Sequence, residues 1–542
     1  GKVIESFGRG GRVKLAHGAR VAPAIFERTL VISGYLKDVE AFDAITGEPR
    51  WTFHTVPAPG EFGYDTWDQI QPNAANCWGG MALDVQRGIA YITTGSPKPN
   101  FLGMLHRGDN LFANCVVAID VRTGKRLWHF QEIRHDIWDQ DVPAPPILTT
   151  ITRDGRKVDV VAAVSKIGNT LLLDRVSGKP IFPFRLRRAP TSTVPGEVTA
   201  PYQPDVELPQ PFTRQEFTFD QVTDRDDEIR EAVLGQVKSL QYGWFLPIND
   251  RKVTVFYNVH GGAEWTGACV DPTRGRLYVS ANQVPWLMSL IINDEPPEDP
   301  KAPITRGKEI FLQTCAQCHG PDRNGIGVAP PLRGLRHRLD DAGVIAQLTT
   351  GRGLMPAAPP MTDADRKALL DFLFLRDRPA RKGPLPKPER PSYIQNGWNR
   401  FLDTEGYPAC KPPWGTLNCV DLNTGKLLWQ VPLGEYDELT RQRVPKTGTE
   451  NFGGATVTAG GLVFVSGTRD NKIRAFDAES GAELWSHPLP LHGTAPPTVY
   501  EANGREFVVL PATGGGKLGG PTGDAYVAFA LPNRKAAELK GE

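Results

Sequence analysis

Residues 311–320, FLQTCAQCHG, hold two thiols separated by two residues, with a histidine directly behind the second. That spacing suits covalent c-type haem attachment: Cys315 and Cys318 would add to the porphyrin vinyl groups, and His319 would be carried beneath the ring to ligate iron. A zinc half-site would need a second Cys/His pair at ligand spacing, and none follows. A redox CxxC pair would lack the attached histidine. Downstream lie VAPPLRGL and GRGLMPAAPPMTDADRKALLDFLFL. The last stretch predicts an amphipathic helix, with Thr362 as N-cap, Asp365 in the capping-box position, and Leu369, Leu370 and Leu373 on one face. Met355, in the Gly/Pro-rich loop before it, is placed to be the sixth iron ligand, a soft thioether that raises the haem potential. Met361 is its rival, but it touches the helix start and suits a staple residue better.

This segment resembles class I cytochrome c domains. Its flanks do not. The unit VEAFDAITGEPRW (39–51) recurs as VVAIDVRTGKRLW (116–128), TLLLDRVSGKPIF (170–182), LNCVDLNTGKLLW (417–429) and IRAFDAESGAELW (473–485). Each has an alternating apolar strand, an Asp, a TG or SG turn and an aromatic at fixed offset. The physical reading is a hairpin whose Gly supplies the positive φ and whose Trp returns to pack between neighbouring sheets. Further strand pairs, such as GGMALDVQRGIAYITTG and GATVTAGGLVFVSGT, lie between the copies. Four strands per repeated unit predict an all-β propeller with about six blades visible. GKVIESFG reads as the returning strand of an earlier blade, and DAYVAFALP as a last strand without a local partner.

The whole chain has room for this: 542 residues, 40% hydrophobic, carry a large core and a small second domain. A net charge of +1 gives no concentrated basic surface, so nucleic acid is not an expected partner. No apolar run approaches the ~18 residues of a membrane span. The sequence starts at Gly1 with neither Met nor signal peptide, and c-type haem is attached on the periplasmic side in bacteria. We therefore expect a periplasmic protein whose sequence is mature or truncated. Of seven cysteines five remain after haem attachment, so at least one is unpaired; Cys410 and Cys419 are free to bridge, though nothing compels it.

The propeller resembles quinoprotein dehydrogenases that use pyrroloquinoline quinone (PQQ), of the glucose-dehydrogenase type, over essentially all residues outside the haem segment. The resemblance implies an eight-bladed ring of which roughly two blades are absent, divided as 1–296 (propeller, first part), 297–387 (inserted all-α cytochrome c domain) and 388–542 (propeller, second part). The junctions are proline-rich and charged, which suits semi-rigid spacers. It also implies site residues. In WHFQEIRHDIWDQD (128–141), Asp139 matches the family base that takes the hydroxyl proton of an alcohol or aldose; a solvated acidic turn is the plainer alternative. Lys166 matches the lysine that stabilises charge on the quinone oxygen; the alternative is a surface lysine. Trp78 matches the planar floor beneath PQQ, Asn282 an amide contacting it, and Phe452 stands beside glycines that let backbone approach a ligand. Calcium or a similar hard cation would draw oxygens from Ser96, Asp139 and Asp141, but the segment around Ser33 and Gly34 is short where relatives carry a further ligand.

These expectations make the chain a quinohaemoprotein passing electrons from PQQ through haem c to an external acceptor such as another cytochrome or a terminal oxidase. The competing class is a non-catalytic propeller that binds a partner and carries an electron-transfer cytochrome.

Overall fold

The computed structural model describes residues 2–67, 74–293, 295, 303–323, 331–351, 355–377 and 392–531. The predicted junctions at 296/297 and 387/388 fall outside them. The first sheet runs Ala24–Phe26, Thr29–Ser33, Val39–Asp43, Pro49–Phe53, each strand antiparallel to the next. Among the described residues six more sheets of three or four strands lie between Met81–Asp84 and Gly519–Ala530, two of them interleaved in sequence. The architecture is that of a β-propeller, and its core consists of slabs between consecutive sheets. One slab, for example, joins Val31 and Ala41 of the first sheet to Ile92 and Val117 of the second.

The recurring sequence unit explains how the slabs are joined. At each hairpin the Asp side chain accepts backbone N–H groups two or three residues on: Asp43 from Ile45 and Thr46, Asp174 from Val176 and Ser177, Asp477 from Glu479 and Ser480. Gly then takes a left-handed φ, 72° at Gly124 and 72° at Gly481. The aromatic that follows lies on the turn glycine of the next unit. Trp51 covers Gly124, Trp128 covers Gly178, Phe182 covers Gly425 and Trp429 covers Gly481. The tryptophans also donate their indole N–H to a carbonyl of that next sheet, Trp51 to Val121 at 2.9 Å and Trp429 to Ala478 at 3.4 Å. Each repeat therefore clamps its successor.

Two terminal expectations need correction. The first described strand begins at Ala24, and residues 2–8 form turns closed by a bridge between Gly8 and Arg12. DAYVAFALP does have a local partner: Gly519–Ala530 pairs antiparallel with Arg505–Gly515. Cys410 and Cys419 are both free thiols, in different apolar clusters.

The haem segment is carried between two paired strands, Leu290–Asn293 and Ser392–Gln395, and the flanking strands Pro285–Met288 and Asn399–Arg400 belong to a propeller sheet with Thr254–Tyr257. Arg276–Asn282 pairs directly with Gly415–Asp421, from Arg276 opposite Asp421 to Asn282 opposite Gly415, although residues 283–414 intervene. Within that span Arg306–Thr314 crosses Asp363–Leu373 so closely that a Cβ at Gly307 would collide with the Ala368 carbonyl. Phe311 and Phe372 meet at 5.2 Å, and Leu369, Leu370 and Leu373 are buried as predicted. Thr362 caps the second helix by accepting the Asp365 N–H at 3.1 Å, while the Asp365 carboxylate pairs with Arg306 rather than completing the capping box.

Gly124→Ala and Gly504→Ala separate docking from backbone strain. Both glycines have φ 72°, but a Cβ at Gly124 would lie 2.6 Å from the Trp51 indole, whereas at Gly504 nothing lies within 4 Å. Thermal unfolding should show about 1 kcal/mol lost at Gly504 and about 1–3 kcal/mol more at Gly124. Equal losses would mean that the ring-on-glycine contact adds nothing.

Candidate active site

The loop that carries Asp139 is shaped by its neighbour Asp136. One Asp136 oxygen accepts the Trp138 N–H at 2.7 Å; the other accepts the Gln140 N–H at 2.8 Å, the Asn114 side-chain amide at 2.9 Å and the Ser96 hydroxyl at 2.5 Å. The knot bends residues 138–141 tightly enough to put Asp139 at φ 60°, a conformation Asp tolerates better than most residues. Trp138, anchored by its indole N–H on the Leu246 carbonyl at 2.9 Å, fills the outside of the bend. Asp139 therefore turns inward.

Lys166 meets it there, just beyond the strand Arg156–Val164. Its Nζ lies 2.9 Å from Asp139 Oδ2 and 2.9 Å from Asp141 Oδ2, and all three side chains are buried. Asn100 donates its amide to Asp139 Oδ1, and the Ser96 N–H donates to Asp141 Oδ1 at 2.5 Å. Burial pushes the Asp139 carboxyl above the usual range, against the pull of Lys166, and the charge of Asp141 adds to the push. Asp141 is equally buried, but Lys166, Lys98 and the Ser96 N–H hold it well below that range. Burial acts against the Lys166 charge, yet the two carboxylates raise its pKa. Two neighbouring acids are thus driven in opposite directions, Asp139 upward and Asp141 downward.

The aromatic residues form a second wall. Trp265 stacks on Phe452 at 5.7 Å with 12° between the rings, and Trp78 meets Trp265 at 6.3 Å. Lys517 lies over both Trp265 and Phe452, 5.1 and 5.3 Å from their centroids, and pairs with buried Glu264 at 3.1 Å. The Glu264 charge in turn acts on Lys166. The walls are thus joined electrostatically as well as sterically. The Trp78 indole N–H is buried without a partner, the kind of orphan donor that a polar, flat ligand would satisfy.

Several expected site residues have other duties. Asn282 donates both amide hydrogens to backbone, to the carbonyls of His260 and Asn451 at 2.9 Å each, and accepts the Asn451 N–H at 2.8 Å. It ties the loop of His260 to that of Phe452 instead of presenting a free amide. The glycines after Phe452 serve chain packing, since a Cβ at Gly453 would strike the Ser466 carbonyl and one at Gly454 would lie 2.6 Å from Pro496. Ser96 gives its hydroxyl to Asp136, and Ser33 gives its own to the Cys77 carbonyl at 3.0 Å. Among the described residues no three His, Cys, Asp or Glu side chains are grouped to hold a metal ion. With Asp139 and Asp141 both paired to lysine, the expected calcium ligands do not fit a hard dication.

The sequence matches the family described as glucose/ethanol/alcohol dehydrogenase, beta-propeller domain (PQQ), over residues 1–318 and 375–508. The chain belongs to this PQQ dehydrogenase family. Residues 302–373 match a second family, described as cytochrome c oxidase, cbb3-type, subunit III. Relatives include the quinoprotein glucose dehydrogenase of Escherichia coli, 27% identical, covering 94% of this chain and 57% of that protein. The glycerol dehydrogenase large subunit of Gluconobacter oxydans is 28% identical over 99% of this chain and 67% of its own length. The fold is shared with the crystal structure of quinohemoprotein alcohol dehydrogenase from Comamonas testosteroni, at TM-score 0.53 and 19% identity, covering 94% of this chain and 59% of that one. The chain thus spans somewhat over half the length of the glucose dehydrogenases it matches. PQQ and haem c are the cofactors these families imply.

In this member of the family the haem segment offers what covalent attachment needs. Cys315 and Cys318 are free thiols flanking a helical turn that ends in buried His319. Cys315, Met355 and Met361 all pack against one apolar cluster with Leu335 and Leu348, which suits a porphyrin face. Both methionines therefore share an apolar cluster with Cys315.

Sequence reasoning missed Asp136, Trp265, Lys517 and Glu132. The glycine-rich settings of HGGAEW and GGGKLGG were the available signal for Trp265 and Lys517. Glu132 had none, because its role is set by burial. It accepts Ser165 Oγ–H at 2.7 Å and Asn169 Nδ2–H at 2.9 Å, bracing the turn that carries Lys166, while its other oxygen has no partner.

Burial pushes Glu132 from 4.5 up to about 7. A raised acid pKa favours the folded state most below pH 4.5, and that contribution is lost as pH climbs through about 7. Glu132→Gln should therefore stabilise the protein at pH 8 by about 2–3 kcal/mol relative to its effect at pH 5, read from denaturant unfolding at the two pH values. A pH-independent effect would show that Glu132 ionises normally in the fold.

Proposed function

We propose that this chain is the dehydrogenase of a periplasmic quinohaemoprotein, oxidising a CH–OH group of an alcohol or aldose and passing the electrons through haem c to an external acceptor. A complete ring of eight blades, with further cofactor contacts from blades outside this sequence, belongs to the same reading. The periplasm is where c-type haem is attached, which supports that location. The observation that carries the reading is the buried Asp139–Lys166–Asp141 arrangement beside the wall of Trp78, Trp265 and Phe452.

Asp139 is fitted to take the hydroxyl proton. Its raised basicity keeps it an effective acceptor, and Asn100 and Lys166 hold its oxygens in place as the proton arrives. Lys166 is tied to Asp141, so its ammonium stays charged and at a fixed point, able to stabilise negative charge developing on an oxygen next to it. Trp78, with its unpartnered N–H, and Lys517 would hold a planar polyacid. Bound there, PQQ would supply the two-electron acceptor for the hydride.

Electron exit is favoured by how the haem segment is fixed. Glu295, just beyond the strand Leu290–Asn293, is buried against Arg323 with 2.7 Å between Oε2 and Nη2, and its other oxygen accepts the Gly334 N–H at 2.7 Å. Arg323 follows the CxxCH turn by four residues, so the propeller grips the haem loop directly.

The full chain, matured with haem and supplied with PQQ, should reduce its own haem when given members of a panel of aldoses and simple alcohols. Asp139→Asn should lower kcat on the order of 10³-fold while leaving PQQ-induced tryptophan quenching in place. The wild-type rate should rise with pH along a limb lying above the ordinary carboxylate range. If no substrate of the panel reduces the haem, the propeller is a binding module. Separately, Met355→Ala should lower the haem potential and open the iron to exogenous ligands, whereas Met361→Ala should do neither; the opposite pattern would transfer the ligand role to Met361.

A further inference from the structure

We propose that Lys98 carries, in this chain, the fixed positive charge beside the base that a divalent cation would otherwise supply, so that the site works without a bound metal. The inference rests on the reading of this site as the PQQ site and deepens it. Lys98 Nζ lies 3.6 Å from Asp139 Oδ1, on the opposite side of that carboxylate from Lys166, and 2.5 Å from Asn100 Oδ1. The same Asn100 donates its amide to Asp139 Oδ1. Lysine, asparagine and aspartate therefore close a small ring in which the ammonium is oriented by a carbonyl and faces an anion. The backbone holds it there: Lys98 stands between Pro97 and Pro99 and pairs with Ala74, in the ribbon that leads directly into Trp78.

The oxygens around this point are not those a dication needs. Calcium takes about six to eight oxygen ligands, several of them charged. Asp139 and Asp141 spend both oxygens on Lys166, Lys98, Asn100 and the Ser96 N–H. Ser96 gives its proton to Asp136. The short turn after Thr29–Ser33 brings in no further acid, because Asp38 faces the other way, accepting the Thr55 N–H at 3.2 Å and approaching His17 at 3.5 Å. The buried side-chain oxygens left without partners nearby are Asn76 Oδ1, Asn114 Oδ1 and Gln140 Oε1, all neutral, and Glu132 Oε2, whose carboxyl group is engaged through its other oxygen with Ser165 and Asn169. Charge agrees with ligand count. Two carboxylates already face two ammonium groups, and a dication placed among them would be repelled by both lysines.

The test uses the full haem-bearing chain after exhaustive chelation. Equilibrium dialysis against calcium and against magnesium, with and without PQQ, is followed by elemental analysis of bound metal, and PQQ affinity is read from tryptophan quenching before and after chelation. We expect no stoichiometric calcium or magnesium in either state and a PQQ affinity unchanged within about twofold, since no ligand linkage exists to lose. Lys98→Met should weaken PQQ binding at least about tenfold without changing the chelator response, and Lys98→Arg should restore most of it. Lys98→Asp, which replaces the ammonium by a third carboxylate, should gain calcium binding that the parent lacks. One equivalent of calcium or magnesium held by the parent protein, or PQQ binding that collapses on chelation and returns with calcium, overturns the proposal. Absence of PQQ quenching in every state would sink the dehydrogenase reading instead, while the dialysis result still decides whether a metal occupies the site.

Discussion

Everything at the buried site depends on holding one ammonium, that of Lys166, between two carboxylates away from water. Removing such a group from solvent costs several kcal/mol, and the cost is recovered only if both partners are close and their remaining lone pairs are satisfied. Here both carboxylates lie at 2.9 Å, and Ser96 and Asn100 occupy the other oxygens. None of these residues is adjacent to Lys166 in sequence. The arrangement exists only because three separate backbone segments are delivered to one point and kept there.

Two devices deliver them. The Asp136 knot fixes the bend that turns Asp139 inward, against the positive φ that bend requires. The ring-on-glycine contact fixes the sheets themselves, since each aromatic lies on the turn of the following repeat and leaves no room for a side chain there. A propeller built this way is stiff in the direction that matters, because a shift of one sheet against the next would have to break a tightly packed contact. Loops at the inner rim inherit that stiffness. The chemistry is then a matter of which side chains the loops carry, and the Lys98–Asn100–Asp139 ring is one such local solution.

The inserted haem segment uses the same economy. A pair of adjacent strands, Arg276–Asn282 and Gly415–Asp421, keeps its full register while residues 283–414 depart and return. Hydrogen bonding between these strands closes the gap, while the helical domain is carried on the paired strands Leu290–Asn293 and Ser392–Gln395 and keeps its own core. Glu295 limits how far it can swing, by burying its carboxylate against Arg323 next to the haem-attachment turn. Two redox cofactors carried on one chain would meet at an effective concentration that diffusion does not provide.

The sequence by itself determined the parts whose signal is local. CxxCH is read from three residues, the helix cap at Thr362 from four, and the propeller from five copies of one hairpin, because turns, caps and alternation depend on neighbours along the chain. It also singled out Asp139, Lys166 and Trp78 by resemblance. Which side chains were spent elsewhere was decided only in three dimensions. Asn282 lost its amide to two carbonyls, Ser96 its hydroxyl to Asp136, and DAYVAFALP gained the partner strand its own neighbourhood did not reveal. Lys98 and Lys517 became part of the site only when the chain brought them to Asp139 and to Trp265. The reason is physical. Hydrogen-bond partners, burial and the electrostatic field at a side chain are properties of the space around it, and at this site that space is filled by residues from 27 to 253 positions away.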